Sequence, residues 1–393
     1  MNYDVNIREE IFGGNIYDLR SGKRYYVTNA ELKEVLLNEK FPSDINMICT
    51  NKPKFIPLEV NDINIKHFSF ADIAYIEVTR ECNLRCKHCL NSSGDAMESQ
   101  LTQEELIKIV NEFSESGIQE IRFTGGEPLL FKGIFDLINL ASSLGIYTSI
   151  GTNGTLITKT TAKKLKEAGL KKAIVSIDGT KNKHDYIRGD GNYKKAMSGI
   201  YNLTKEGIVI RINSVILTSN IDDVIELAKK LHKKKTPLFI RRFIESGRGV
   251  ELTNNMLTKK DYEYVKEKLK YELENGSYID GHYLRNTDDE TIHSRIELPF
   301  GVDDGCKAGQ RALIITPDGE IHLCGFLAAQ GFPSEGNVRL VNNWKTFWRT
   351  TQNKNSLCKL RNELSNYNKI LGIQPTNCLA YVQRSIDLNI QKK

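Results

Sequence analysis

The sequence predicts an α/β protein built on a parallel sheet, and three observations predict it. Strand-like and helix-like runs alternate from about residue 71 onward. The helical runs open on capping residues, such as Thr102 with Glu105 and Asp222, and close on Gly117, Gly145, Gly169 and Gly207. A length of 393 residues, with 40% hydrophobic and 26% charged side chains, suits a main domain with smaller appendages.

Residues 1–70 read as a small N-terminal α+β unit. Val5–Arg8 and Tyr25–Val27 are short strands, Gly13-Gly14 and Ser21-Gly22 are turns, and Asn29 caps a helix over Glu31–Leu37. Residues 71–250 carry the regular alternation. Strands are expected over 74–78, 120–123, 147–151, 173–177, 208–217 and 238–244, with helices over 103–115, 134–143, 161–168, 193–205 and 222–232. Six such strands argue for a parallel sheet with right-handed crossovers, as an open sheet or a partial barrel. Either form binds ligands at the C-terminal ends of its strands. Residues 251–304 read as a helical linker holding a long polar helix over 259–274. Residues 305–393 change to a β-hairpin, 312–316 and 320–323 around Pro317-Asp318-Gly319, then a helix near 343–350.

Composition excludes several classes. No run approaches the 18 apolar residues of a membrane span, and Met1–Asp4 shows neither the charged nor the apolar part of a secretory signal. A cytoplasmic protein without a membrane partner is expected. The net charge of +6 is spread out. Lys229-Lys230 and Lys233–Lys235 sit at a helix end, where cations suit the dipole. No aromatics interleave with them, which argues against nucleic acid.

The eight cysteines carry the chemistry. In a cytosolic chain, clustered cysteines point to metal or redox work. Cys82, Cys86 and Cys89 form Cys-x3-Cys-x2-Cys directly after the first core strand. Three thiolates on one short loop suit three irons of a 4Fe–4S cubane and leave the fourth iron open. A zinc site would favour paired Cys-x2-Cys units. His88, between two of the cysteines, is expected to pack over the cluster, and Cys49 to be a buried thiol.

This loop resembles the signature of the radical S-adenosylmethionine (SAM) superfamily, and the likeness runs over roughly residues 71–250. It implies a partial (β/α)6 TIM-like barrel. It also implies a cluster whose open iron is chelated by SAM, and reductive cleavage to a 5′-deoxyadenosyl radical that abstracts a hydrogen atom from a substrate. Gly125-Gly126-Glu127-Pro128 is similar to the family's motif for the SAM amino group; a Gly-Gly pair lets backbone approach closely and a glutamate receives an ammonium. Asn153, Ser176 and Asp178, at the ends of the third and fourth strands, match positions near the ribose and carboxylate of SAM. Arg188 matches an arginine near that carboxylate. Asn213 lies on the fifth strand. Arg241-Arg242 and Ser246–Gly249, after the sixth, suit either anion recognition or structural ion pairing.

Cys306 and Cys324 bracket the expected hairpin and resemble the opening of the auxiliary-cluster domain called SPASM. The dense cysteine run of that domain is missing, and only Cys358 and Cys378 follow. That number fits one auxiliary iron–sulfur cluster, as in the shorter Twitch form, with Cys358 as fourth ligand, hydrogen-atom donor or buried thiol. The combination resembles maturases that crosslink or epimerise ribosomally made peptides. It implies a peptide substrate with a leader gripped by the N-terminal unit, and an electron donor such as flavodoxin or ferredoxin. Small-molecule chemistry in cofactor or tetrapyrrole biosynthesis is the alternative enzyme reading, and a non-catalytic iron–sulfur carrier the alternative of another class.

Overall fold

A computed structural model describes residues 3–45, 47, 49–59, 67–252, 254–276, 278–280 and 309–354. Cys306, Cys358 and Cys378 lie outside the described residues.

The N-terminal unit is a four-stranded sheet in the order β3-β2-β1-β4, from β1 (Val5–Glu10), β2 (Gly13–Asp18), β3 (Arg24–Thr28) and β4 (Lys54–Ile56). Helix α1 (Asn29–Asn38) follows β3. Its cap is Thr28, one residue before the expected Asn29. The Thr28 hydroxyl accepts from the Glu31 N–H and the Glu31 side chain accepts from the Thr28 N–H, a reciprocal pair that Asn29 lacks the following acid to make. Gly13-Gly14 is the start of β2 and not a turn. At Gly13 (φ +137°) a Cβ would lie 2.1 Å from the Val27 carbonyl oxygen, so glycine lets two strands pass closely. Leu32 and Val35 of α1 pack on Val5, Ile7, Ile16 and Val27. Cys49 is half-buried rather than buried, its Sγ 2.9 Å from the Asn51 carbonyl oxygen.

The main sheet has ten strands in the order β11-β10-β9-β8-β7-β6-β5-β12-β13-β14. Its parallel part alternates strand and helix: β5 (Ile73–Thr79), α2 (Gln103–Ser116), β6 (Glu120–Gly125), α3 (Ile134–Ser143), β7 (Tyr147–Thr152), α4 (Lys159–Glu167), β8 (Lys172–Ser176), α5 (Lys181–Arg188), α6 (Asn192–Lys205), β9 (Val209–Ile216), α7 (Ile221–Lys233), β10 (Leu238–Arg242). Helices α8 (Lys259–Lys268) and α9 (Lys270–Glu274) then lead to β11 (Ile279–Asp280). This is the partial barrel the sequence predicts. The expected long helix is broken at Leu269, and α5 was not expected. Asp222 lies in the first turn of α7; the cap position is Asn220.

Side chains alternate across each strand. Ile76, Phe123, Ile150, Val175 and Ile212 join the core beneath the helices, while Tyr75, Arg122, Ser149, Lys172 and Arg211 fall on the opposite face, in the barrel lumen. The C-terminal hairpin continues this same sheet. Strand β12 (Ala312–Ile315) runs parallel to β5, with Ala312 opposite Ile73, and β13 (Glu320–His322) and β14 (Gly336–Asn337) follow antiparallel. Helix α10 (Gly325–Ala329) lies between β13 and β14, and α11 (Trp344–Lys354) packs on α2 through Trp344, whose ring sits 4.6 Å from that of Phe113.

The two sheets and the hairpin meet at Asp72. Its fully buried carboxylate accepts from Arg8 Nη2 and Asn15 Nδ2 (both 2.8 Å) and from Arg311 Nε (2.6 Å), with Arg24 Nη1 at 3.6 Å. Burial alone would raise this carboxyl; Arg24, Arg311 and Arg8 hold it well below the usual carboxylate range.

Candidate active site at the mouth of the barrel

The loop after β5 carries Cys82, Cys86 and Cys89, and backbone from three other segments pins it. The Cys82 N–H donates to the Gly94 carbonyl (2.8 Å), the Lys87 N–H to Ile187 (3.0 Å), and the Arg248 N–H to Cys89 (3.1 Å). Arg248 also donates from Nε to the Cys86 carbonyl (3.0 Å). The side chain considered for anion recognition thus supports the cysteine loop. Its neighbour Gly247 (φ +54°) packs so tightly that a Cβ would sit 2.4 Å from the Leu90 carbonyl oxygen.

The three thiols are partly or fully withdrawn from solvent, and N–H donors face their sulfurs. Cys86 is buried and Cys82 and Cys89 half-buried. Burial pushes the Cys82 thiol up to about 11, and raises Cys86. Donors surround the sulfurs nonetheless: the Leu84 N–H reaches Cys82 Sγ (3.4 Å), the Ser93 N–H reaches Cys89 Sγ (3.3 Å), and Arg188 Nη1 lies 3.9 Å from Cys86 Sγ. Desolvated thiols facing N–H donors fit a group that takes them as anions, since metal binding displaces the protons. Among the described residues no three His, Cys, Asp or Glu side chains converge on one ion.

Gly125-Gly126 ends β6 directly against this loop. A Cβ on Gly126 would lie 2.2 Å from the Glu81 carbonyl oxygen. The Gly126 N–H donates to Thr79 and the Glu127 N–H to Glu81, both at 2.8 Å. The glycine pair therefore seats the cysteine loop as well as leaving room for a ligand. Glu127 is fully buried. Its carboxylate accepts from the Thr152 hydroxyl and the Asn153 N–H (2.8 Å each) and from the Leu129 N–H (3.3 Å), and Pro128 opens a short 3-10 turn over 128–130. Burial pushes this carboxyl up to about 7 against those donors. Thr152 was missed by sequence reasoning, and its only signal was its place before Asn153.

Asn153 clasps the cysteine loop. Its Nδ2 donates to Asn83 Oδ1 (2.9 Å) and lies 4.0 Å from Cys82 Sγ. Ser176 ends β8 in register with Asn213 of β9. Asp178 points inward and is fully buried. Its Oδ2 takes His88 Nε2 (2.6 Å) and Arg188 Nε (2.5 Å), and its Oδ1 accepts from the Val215 N–H (2.8 Å). Burial would raise this carboxyl, but Arg188 and His88 hold it far below the usual range. His184 accepts at Nδ1 from the Asp178 N–H (3.2 Å); burial and then Arg188 push it down to about 4. Asp178 thus orients His88 and Arg188 beside the cysteine loop.

Cys324 sits at the cap of α10, half-buried at the edge of the main core. The other end of α10 is tied to the segment after β10, because the Ser246 hydroxyl donates to the Ala329 carbonyl (2.6 Å). A cavity of about 340 Å³ separates the hairpin from the cysteine loop, lined among others by Glu77, Arg80, Asn91, Gly247 and His322.

Residues 76–231 match the family model described as the radical SAM superfamily. The chain is 30% identical over 282 residues to the Fe-coproporphyrin III synthase of Methanosarcina barkeri, covering 67% of this chain and 70% of that protein. It is 26% identical over 281 residues to the mycofactocin maturase MftC of Mycolicibacterium smegmatis, covering 70% and 69%. The fold is similar to the crystal structure of Streptococcus suis SuiB bound to precursor peptide SuiA, at TM-score 0.64 and 18% identity over 88% of this chain and 87% of that one. The cysteine loop at the end of the first barrel strand, the Gly-Gly-Glu-Pro turn against it and these likenesses agree: the chain belongs to the radical SAM superfamily.

Proposed function

We propose that this enzyme is a maturase that modifies a ribosomally made peptide, by a thioether or carbon–carbon crosslink or by inverting a stereocentre. As a radical SAM enzyme it works with a 4Fe–4S cluster and SAM. When bound, these supply one-electron chemistry that breaks unactivated C–H bonds.

In this reading Cys82, Cys86 and Cys89 ligate three irons, and the Leu84 and Ser93 N–H groups stabilise the thiolates. Glu127, beside Gly125, Gly126 and Pro128, takes the SAM ammonium; a carboxyl held near neutrality by burial gives up its proton when a cation arrives. Asn153 and Ser176 line the ribose and carboxylate positions. Arg188, fixed by Asp178, meets the SAM carboxylate. Cys306, Cys324, Cys358 and Cys378 hold one auxiliary cluster, so anaerobic reconstitution yields about eight irons per chain; about four would confine the metal to the first loop. A flavodoxin or ferredoxin delivers the electron.

The observation that carries the peptide reading is the outer edge of β3. Among the described residues β3 pairs with β2 on one side and with no strand on the other. Such an edge accepts an extended peptide as a further strand. The Asp72 network fixes this sheet to the barrel, so a leader held there stands at a set distance from the mouth. The 26% identity to a mycofactocin maturase supports it. The test uses the full chain, because removing residues 1–70 would strip Asp72 of Arg8 and Arg24. Synthetic peptides corresponding to any short reading frames beside the gene are added to the reconstituted, reduced enzyme. Amide exchange at 24–28 slows on peptide addition, and the peptide changes in mass or stereochemistry only with SAM and reductant. The absence of both effects would refute the reading.

The second reading, a tetrapyrrole substrate, is favoured by the 30% identity to an Fe-coproporphyrin III synthase. The same assay with an iron tetrapyrrole in place of the peptide then shows a change in the tetrapyrrole's mass that depends on SAM and reductant.

A further inference from the structure

Among the described residues, Arg122, Lys172, Arg211 and Arg241 gather on the lumen side of the barrel. Strand β9 turns Ile210, Ile212 and Ile216 toward the helices, so Arg211, Asn213 and Val215 face the lumen. Arg211 there meets Arg122 of β6 and Arg241 of β10, with Lys172 of β8 adjoining. The carboxylate that the described residues set against these four cations is Glu120, and it is already engaged. It accepts from Arg122 Nη2 and the Ser149 hydroxyl (2.9 Å each), and the Tyr17 hydroxyl lies at 3.3 Å. Arg122 also donates to Ser149 Oγ (3.2 Å) and lies over the Tyr75 ring.

Arg211 makes no side-chain ion pair among the described residues. Its Nε is buried and has no hydrogen-bond partner among the described residues. Its guanidinium lies 5.4 Å from the Phe239 ring, whose centre is 5.8 Å from the guanidinium of Arg241. Burial, then Arg122 and Arg241, push Arg211 down to about 10 against a smaller opposing pull from Tyr75 and Glu120. Two positions along the same strand, Asn213 Oδ1 is likewise buried and unpartnered, and Asn213 is in register with Ser176 at the strand ends where the cysteine loop sits. A guanidinium that evolution merely tolerated would be expected to sit beside an acid, since an unpaired buried charge is costly.

We propose that Arg211, backed by Arg122 and Arg241 and flanked by Phe239, binds a carboxylate of the substrate inside the barrel lumen. This deepens the proposed function, on which it rests. The carboxylate belongs either to an acidic residue or C-terminus of a peptide, or to a propionate of a tetrapyrrole; fork geometry and charge serve both.

The test uses the full-length reconstituted protein and propionate as probe, with chloride of equal ionic strength as control. Wild type melts at a higher temperature in propionate than in chloride, and Arg211→Gln loses that difference, with probe affinity about 10- to 100-fold weaker. Without probe, Arg211→Gln melts no lower than wild type, because it removes an uncompensated charge; an arginine with a merely structural role would lose stability. Arg211→Lys, which keeps the charge, retains part of the shift and serves if the glutamine variant misfolds. Equal propionate shifts in wild type and Arg211→Gln, or no shift in wild type, would overturn the proposal. Two further arms name the carrier: iron coproporphyrin III against its tetramethyl ester, and N-acetylglutamate amide against N-acetylglutamine amide. Preference for the free acid in either arm supports the site, and preference in neither overturns it. If the acid preference holds while no tested peptide is modified, the peptide reading falls and the carboxylate site stands.

Discussion

Asp72→Asn is the sharpest test of how this chain is held together. Asn keeps the shape but removes the charge that Arg8, Arg24 and Arg311 share in full burial. Arg8 retains Glu10, its Nε donating at 2.7 Å, so the loss falls on Arg24 and Arg311. Breaking a buried pair by removing one partner costs about 3–5 kcal/mol. Unfolding entropy near 2.1 cal/mol/K per residue, over 393 residues, turns that into a fall of about 4–6 °C if the chain melts as one unit. Scanning calorimetry under anaerobic conditions reads it. A larger fall with a separate early transition would mean that the N-terminal sheet detaches first. The pH sign follows from the lowered folded value: the contribution is fully present above the ordinary aspartate range near 4, and wild type loses it only as pH falls further. The asparagine variant therefore converges on wild type in strong acid. A fall under about 1 °C at pH 7 would refute the reasoning. Pairing the change with Arg311→Met restores part of the loss, because it removes one of the charges that Asp72 served.

Other outcomes are equally specific. Cys86→Ala, like the same change at Cys82 or Cys89, abolishes 5′-deoxyadenosine formation from SAM under dithionite; retained cleavage would mean the loop is misassigned. Glu127 has a folded value near 7, raised above the unfolded one by burial, so it favours the fold below about 4.5 and loses that contribution as pH rises toward 7. Glu127→Gln consequently flattens the apo-protein's melting profile between these pH values and weakens SAM binding in a titration. Gly247→Ala forces a Cβ to within 2.4 Å of the Leu90 carbonyl at positive φ. It is expected to cost about 1–3 kcal/mol and to lower iron retention, read by iron assay after gel filtration.

The parallel core was legible because its signal is local. Apolar residues recur with strand or helix period between caps and glycines, and α3 begins and ends where the pattern places it. What escaped depends on partners far along the chain. Lys181–Arg188 is too polar to read as a helix; two side chains, His184 and Ile187, bury it. The residue type at Asp178 was legible, but its role was not, since His88 lies 90 positions away. For Arg248 the sequence left anion recognition and a structural role equally open, and the Cys86 carbonyl beside its Nε favours the structural one. The hairpin itself was legible from Pro317-Asp318-Gly319. Its attachment to β5 was not, because a hairpin pattern says nothing about which sheet edge it joins.

That attachment has a consequence for how the protein is made. The strand that delivers the cysteine loop has β12 as its outer neighbour, and Arg311, which anchors the start of that strand, is encoded 239 positions after Asp72. At roughly 5–20 residues per second, the ribosome needs about 10–50 s to supply it. During that interval the three thiols are already outside the tunnel on a strand with one bare side. Cluster insertion is therefore expected to follow chain release rather than accompany synthesis, and nascent chains stalled before residue 311 should carry no iron.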